Sequence, residues 1–487
     1  MKRILSILII IALLLSFAAC NNDDGPGTGQ KDPPTEVPAT INGVYVTSYR
    51  IVYDAEGLDY NERAAAYVRD KISEYTGSTP EIVDDSEPKS EYEIVIGETS
   101  RDISRELDED TEGFQFAMLA REGTVAIEAD YFVIAAAAYY LIDEYFCPKP
   151  LSVEGNGSFS VNTSANKEIT IPDGLWVKEP AAKKANNLIM LIGDGMGVHQ
   201  TLLYDHLEDV SDYSDGEDFF YGYMFPYQGF SRTASLSGVT DSAAGGTALS
   251  SGYKTYNEYV GLDRNGNEIK SLTELASELG KATAVMSTEN KTGATPSTFS
   301  SHTMNRDNSD EILDDQLALS LKYGTVIDCG YDYYTARYMR VIENHIADTL
   351  GKMDKDEDGF FLMYEEAHID KKCHNNDIEG TFLALIRFNQ AIARFMEYAF
   401  YHPDTAVLIT ADHETGGLRP GEDGTLSYST ENHTRDDVPV FAWGEGFECL
   451  DGETVENIEI AKLYASLMGA ESFGDQSNAW YDDIYGE

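Results

Sequence analysis

Basic residues are scarce in this 487-residue sequence: 35 Lys and Arg stand against 85 Asp and Glu, a formal net charge of −50. That deficit excludes nucleic acid as a specific partner, because little would neutralise phosphates along a backbone. It implies a solvated, self-repelling surface and is compatible with an interior that demands cations. Cysteine is sparse too. The chain has five, with no CxxC pair and no dense framework, so no disulfide scaffold is written into the spacing. Pairing among Cys147, Cys329, Cys373 and Cys449 stays open. Long apolar runs are missing beyond the first twenty residues. The hydrophobic share is nonetheless 42%, enough for a real core, and the length suggests more than one domain.

The N-terminus reads as a targeting segment. Lys2 and Arg3 precede a short apolar run, Ile4 to Ala19, which suits a signal peptide better than a spanning helix. Ala18-Ala19-Cys20 resembles a bacterial lipoprotein box. By that resemblance residues 1–20 form a lipoprotein signal, Cys20 becomes the lipidated first residue of the mature protein, and the protein is exported and held at a membrane, periplasmic or at the cell surface. Residues 21–40 are rich in Pro, Gly and Asp and read as a flexible tether.

Residues 41–175 read as a small α/β unit. "GVYVTSYRIVY" alternates like a strand, and Ala65, Val68, Ile72 and Tyr75 recur at helical spacing before Gly77. "EYEIVIGETSR" and "TVAIEA" read as strands and "YFVIAAAAYYLIDEYF" as an apolar helix. No His, Cys or carboxylate cluster suggests chemistry there. The unit resembles the small β/α domain ahead of the catalytic part in some bacterial glycoside hydrolases and surface proteins. From residue 176 to 487 the character changes. "NLIMLIGDG", "GFFLMYEE" and "TAVLITADH" are apolar runs that each end in an acid, as expected of strands buried on both faces of a helix-covered sheet. Functional groups in such sheets sit beyond the carboxyl ends of the strands. Asp194, Glu365 and Asp412 are therefore expected to converge.

"DKDEDGFFLMYE", Asp354 to Glu365, also fits an EF-hand calcium loop at every fixed position. Such a loop needs polar residues late in its course and a helix on each side. Phe360 to Tyr364 form a core strand instead. Asp354, Asp356 and Asp358 read as a charged turn at one end of it, which leaves Glu365 at the other.

Asp370 and His374 are four residues apart, on one face of a helical turn. Asp412 adjoins His413, and His433 follows in "NHT". Three His and several carboxylates are a donor set that zinc accepts. His199, His206, His302, His345, His368 and His402 read as ordinary surface or core residues, His368 being the nearest rival. Ser242, in "TDSAAGGTA", precedes small residues with helical potential. A helix N-terminus there offers unpaired N–H groups to a phosphate.

"LIGDGMG", "TDSAAGGTA", "TGATP", "HTMNR", "EEAHIDKKCH", "TADHETGG" and "NHT" occur in the order found in the alkaline phosphatase family, over roughly Asn186 to Gly444. The resemblance implies an α/β/α sandwich with a central, mainly parallel sheet, preceded by the small α/β domain. It implies a first zinc on Asp370, His374 and His433, and a second on Asp194, Ser242, Asp412 and His413. It implies a magnesium on Asp194, Thr295 and Glu365. Arg306 would grip phosphate, Asp241 would orient Arg306, and Lys371 would reach phosphate through water. Gly293 departs from the family, which carries an acid there in some members and His in others, so the third cation site is expected to be weaker or to hold a different ion. Only about twenty residues separate His413 from His433, so the large cap that some relatives insert there is absent.

Two zinc ions about 4 Å apart can lower the pKa of a serine hydroxyl and neutralise a leaving oxygen. The expected reaction is hydrolysis of small phosphate monoesters through a phosphoserine. A phosphodiesterase of the same superfamily is the nearest alternative, although those often use Thr and lack the arginine. A sulfatase is disfavoured by the absence of a C-x-P-x-R or S-x-P-x-R motif. A non-catalytic glycan-binding surface protein is the alternative from another class, and the intact donor set argues against it. Nothing in the residues sets the oligomeric state, and a dimer stays open.

Overall fold

The three apolar runs ending in acids do form neighbouring central strands. In this computed structural model, the residues described are 38–55, 59–107, 111–147, 168–206, 219–330, 338–421 and 424–486. The expected signal peptide and lipidation site, and all but the last three residues of the expected tether, lie outside them. The large sheet contains β1 (Asn187–Gly193), β2 (Tyr227–Arg232), β3 (Ala282–Ser287), β4 (Val326–Cys329), β5 (Phe360–Glu366), β6 (Thr405–Thr410), β7 (Val438–Trp443) and β8 (Thr454–Glu456). Their order is β4-β3-β5-β1-β6-β7-β2-β8. β4, β3, β5, β1 and β6 are mutually parallel, and β7 runs antiparallel to both β6 and β2.

β1, β5 and β6 are buried along their whole length. Alternate residues face opposite layers, as the period of a strand requires. Ile189 and Leu191 pack with Phe388, Phe395 and Ile392 on one side. Leu188, Met190 and Ile192 pack with Leu249, Leu272 and Tyr464 on the other. The register pairs Ile192 with both Glu365 and Thr410, and Ser287 with Glu365. The carboxyl ends of four strands therefore stop level with one another. The aspartates of the charged turn, Asp354, Asp356 and Asp358, precede β5 at its other end, and Phe360 to Tyr364 are fully buried. An EF-hand would have to expose those side chains.

A six-stranded sheet precedes the large one. Its order along the sheet is Glu81–Asp84, Arg50–Tyr53, Glu93–Ile96, Thr124–Glu128, Phe116–Arg121, Gly174–Lys178. "GVYVTSYRIVY" is not one strand: a 3-10 turn at Val46–Ser48 separates Val44–Tyr45 from Arg50–Tyr53. The helix Asp59–Thr76 buries Ala65, Val68 and Ile72, as its spacing predicts. The apolar helix Ile134–Leu141 follows a 3-10 turn and ends in a π turn at Ile142–Phe146. From Ala39 onward the chain forms one compact unit. Phe132 and Phe114 of the first part meet Phe400 of the second at ring separations of 5.9 and 5.2 Å, and Arg63 pairs with Glu397 at 2.7 Å. Cys147, Cys329, Cys373 and Cys449 are free thiols. Among the described residues no helix is long and apolar enough to cross a membrane.

"EIVIGETSR" owes its fold to its last residue. Arg101 grips Glu93 with Nε and Nη2, at 3.0 and 3.2 Å, and donates to the carbonyls of Asp85 and Glu87. The Glu93 side chain is fully buried. Breaking such a pair from one side leaves an uncompensated charge, at a cost of about 3–5 kcal/mol. Arg101→Met is expected to lower the urea midpoint by that equivalent, with Arg101→Lys intermediate. An unchanged midpoint would show that the pair does not hold the small sheet.

Candidate active site

The level strand ends place four carboxylates together. Glu365 is the last residue but one of β5, Asp194 follows β1, and Asp412 lies just beyond β6. Asp370 reaches the same edge from the short helix α3 (His368–Cys373), introduced here with α1 (Ser242–Ser251) and α2 (Ala294–Thr298). Gly195 makes that approach possible. It sits at φ +74°, and a Cβ there would lie 2.7 Å from the Asp370 Cα.

The donors gather in two groups, Asp370 with His374 and His433, and Asp194 with Asp412 and His413. Within each group the ligand atoms lie within 4.8 Å of one another. The imidazoles are aimed. His433 Nδ1 is 2.8 Å from the Thr240 carbonyl oxygen, and His374 Nδ1 is 2.5 Å from that of Glu431. A carbonyl only accepts, so each Nδ1 carries the proton and each Nε2 presents a lone pair. Those two Nε2 atoms face each other at 3.1 Å. Neither neutral ring can donate to the other, and a cation between them would serve both. Thr415 Oγ1 donates to Asp370 Oδ1 at 2.6 Å and lies 3.2 Å from His413 Nδ1. Its hydroxyl is thus the acceptor for His413, which leaves His413 Nε2 bare. That nitrogen is 3.1 Å from Ser242 Oγ, 3.3 Å from Asp412 Oδ2 and 3.5 Å from Asp194 Oδ1.

Ser242 is the first residue of α1, and Asp241 caps that helix by accepting from the Ala244 amide at 2.9 Å. The other Asp241 oxygen accepts from the Glu258 amide at 2.9 Å and from Arg306 Nη1 at 3.3 Å. Asp241 therefore ties the serine's helix to the arginine. The small residues of α1 serve packing as well as access: a Cβ on Gly245 would lie 2.7 Å from the Asp412 carbonyl oxygen. Thr295 stands on α2, which packs on β5. Lys371 Nζ is held by Glu289 Oε1 at 2.6 Å. His368, the rival histidine, turns to Glu366 and Thr288 at 3.1 and 3.2 Å.

The electrostatics show what is lacking. Burial, then Asp412 and Asp370, push the Asp194 carboxyl far above its ordinary value. Burial and Glu289 push Glu365 up to about 8, and burial and Asp370 push Asp412 up to about 6. Burial and the neighbouring His433 hold His413 well below the usual imidazole range. Asp370 is the exception. Burial opposes its charge, but before a cation binds His433 and the nearby imidazoles, when protonated, hold it low. Among the described residues, Asp194 Oδ1, Asp412 Oδ2, Glu365 Oε1 and Thr295 Oγ1 are buried with no hydrogen-bond partner. Unpaired buried oxygens, like-charge crowding and bare imidazole lone pairs fit divalent cations. Thr415, Glu289, Ser287 and the Thr240 and Glu431 carbonyls were not legible as site groups. Only the adjacency of Thr415 to "ADHE" and the acid four residues before Gly293 hinted at two of them.

The family model for alkaline phosphatase matches residues 185–327 and 341–428. The chain is 31% identical over 339 residues to alkaline phosphatase 3 of Bacillus subtilis (strain 168), spanning 59% of this chain and 73% of that protein. It is similar to the structure of alkaline phosphatase from the Antarctic bacterium TAB5, at TM-score 0.53 and 25% identity, over 60% of this chain and all of that one. A mutant of the same TAB5 enzyme, with Mg bound in its M3 site, matches at TM-score 0.52 and 26% identity, over 60% of this chain and 100% of that one.

Groups that orient metal ligands typically matter about 10- to 100-fold in metal affinity. Thr415→Val removes the hydroxyl shared by Asp370 and His413 at nearly constant volume. It is expected to weaken divalent-ion retention by that range in competition with a chelator. Retention equal to the unsubstituted protein would show that the hydroxyl orients neither ligand.

Proposed function

Because this chain belongs to the alkaline phosphatase family and is a phosphomonoesterase of that metal-dependent family, we propose that it acts through a phosphoserine at Ser242, with two zinc ions and one magnesium as cofactors. Asp370, His374 and His433 hold one zinc. Asp194, Ser242, Asp412 and His413 hold the second. Asp194, Thr295 and Glu365 hold the magnesium. The observation that carries this reading is the 3.1 Å approach of a bare His413 nitrogen to Ser242 Oγ, with two unpaired carboxylate oxygens beside it. The cations, when bound, supply Lewis-acid charge that stabilises a serine alkoxide and a leaving oxygen.

The chain's own residues do the rest. Ser242 sits where helix N–H groups point outward, a position suited to a dianionic phosphate. Arg306 offers a planar fork for two phosphate oxygens, and its charge is secure: burial opposes it, but Asp241 and Asp194 outweigh burial. Asp241 fixes that fork relative to the nucleophile. Lys371 adds a second positive charge, near enough to act through water. Export, lipid attachment at Cys20, and an accessory domain (41–175) ahead of a catalytic domain (176–487) complete the reading. The aromatic contacts between the two parts support a structural role for the first.

Three measurements test it. Ser242→Ala is expected to lose several orders of magnitude in kcat on p-nitrophenyl phosphate, measured in excess zinc so that the three remaining ligands of the second site stay loaded; surviving activity would make Ser242 the wrong residue. A chelator should abolish turnover, and zinc with magnesium should restore it. A parallel assay on bis-p-nitrophenyl phosphate should give far lower kcat/KM than the monoester. The reverse preference would favour a phosphodiesterase.

A further inference from the structure

Gly293 leaves a gap where the family carries an acid or His, two residues before Thr295. That gap is filled from elsewhere. A Cβ built on Gly293 would lie 2.6, 2.7 and 2.8 Å from Oε2, Cγ and Cδ of Glu289, and these are its three nearest neighbours. The Glu289 carboxylate thus stands where a side chain from position 293 would begin.

Glu289 is fixed in place. Its amide donates to Ser287 Oγ at 2.9 Å, and that hydroxyl in turn donates to Glu365 Oε2. Its Oε1 accepts from Lys371 Nζ at 2.6 Å. Ser287 thus joins Glu289 to the fully buried Glu365. Glu365 Oε1 and Thr295 Oγ1 are buried without a well-directed hydrogen bond, and the two side chains lie within reach of each other. An ordinary partly exposed ion pair would explain the lysine contact, at a worth of about 0–1 kcal/mol. It would not explain why the carboxylate sits over the vacated position, on a turn that Ser287 ties to Glu365.

We infer that Glu289 replaces the side chain missing at position 293: its carboxylate completes the anionic wall of the third cation site and positions Lys371 beside it. This rests on the assignment of a magnesium to Asp194, Thr295 and Glu365. It also reverses the expectation that Gly293 weakens the site. Glu289 is a positioning residue, acting through Lys371 and through the cation's surroundings.

The test uses the zinc-loaded full chain, freed of magnesium by dialysis. Magnesium is titrated back, and bound magnesium is measured by atomic absorption alongside the thermal midpoint. Glu289→Gln and Glu289→Ala should each weaken magnesium binding about 10- to 100-fold, the usual range for groups around a metal's ligands. The double variant Glu289→Ala/Gly293→Asp should recover most of that loss, since removing Glu289 opens the space and φ −56°, ψ 150° at Gly293 accommodates Asp. Wild-type affinity in Glu289→Gln would overturn the inference, as would a double variant no better than Glu289→Ala. If the unsubstituted protein binds no third ion, the magnesium assignment itself falls and the inference with it. That outcome is distinct from three ions bound with or without Glu289.

Discussion

Four buried carboxylates share one rim with a fifth beside them, and mutual repulsion governs what the fold around them must do. At about 4 Å, two like charges at an effective dielectric near 20 repel by about 4 kcal/mol. Burial first, and that repulsion after it, make Asp194, Glu365 and Asp412 hold their protons more tightly than usual. A protein gains nothing from such an arrangement unless cations occupy it. The sheet's level register, the close turn at Gly195 and the imidazoles protonated on Nδ1 all act to keep the acids together and their lone pairs inward. Remove the cations from the argument and each of these features becomes a cost without a return.

The acids were legible in the sequence because each follows a run that can only be a doubly buried strand. A run such as "NLIMLIGDG" fixes both the strand and the side of the sheet on which its acid emerges. The pairing of His374 with Asp370 was legible for a similar reason, since a helical turn sets their spacing. The orientation of the histidines was not. His433 is aimed by the Thr240 carbonyl, which lies 193 residues away in sequence, and a backbone carbonyl carries no residue-type signal. Glu289 was hidden because its role comes from a space that another residue leaves empty. The break at Val46–Ser48 escaped notice because the alternation of apolar residues continues through it.

The helix at Ser242 shows how packing and chemistry share one stretch. On composition alone its run of small residues reads as a Gly/Ala-rich packing turn. Every residue from Ser242 to Ser251 is in fact buried. Gly245 is small because the Asp412 backbone passes against it, so the helix of Ser242 and the strand end that carries Asp412 are brought together by a missing side chain. At the first turn Asp241 satisfies one amide and ties the helix to Arg306. Packing and access are one constraint there.

A chain with a net charge of −50 is a poor host for a dianion at long range. Exposed charges are screened beyond about 8 Å at physiological ionic strength, however, while buried ones are screened much less. On the proposed reading the substrate's fate is decided within the last few ångströms, where cations would offset the acids and Arg306 and Lys371 would add positive charge. Both basic side chains carry partners, Asp241 and Glu289, that hold them charged and in place. The acidity that repels a phosphate ester in solution would then be the same acidity that, once capped by divalent ions and two tethered basic side chains, presents a positive rim to the ester.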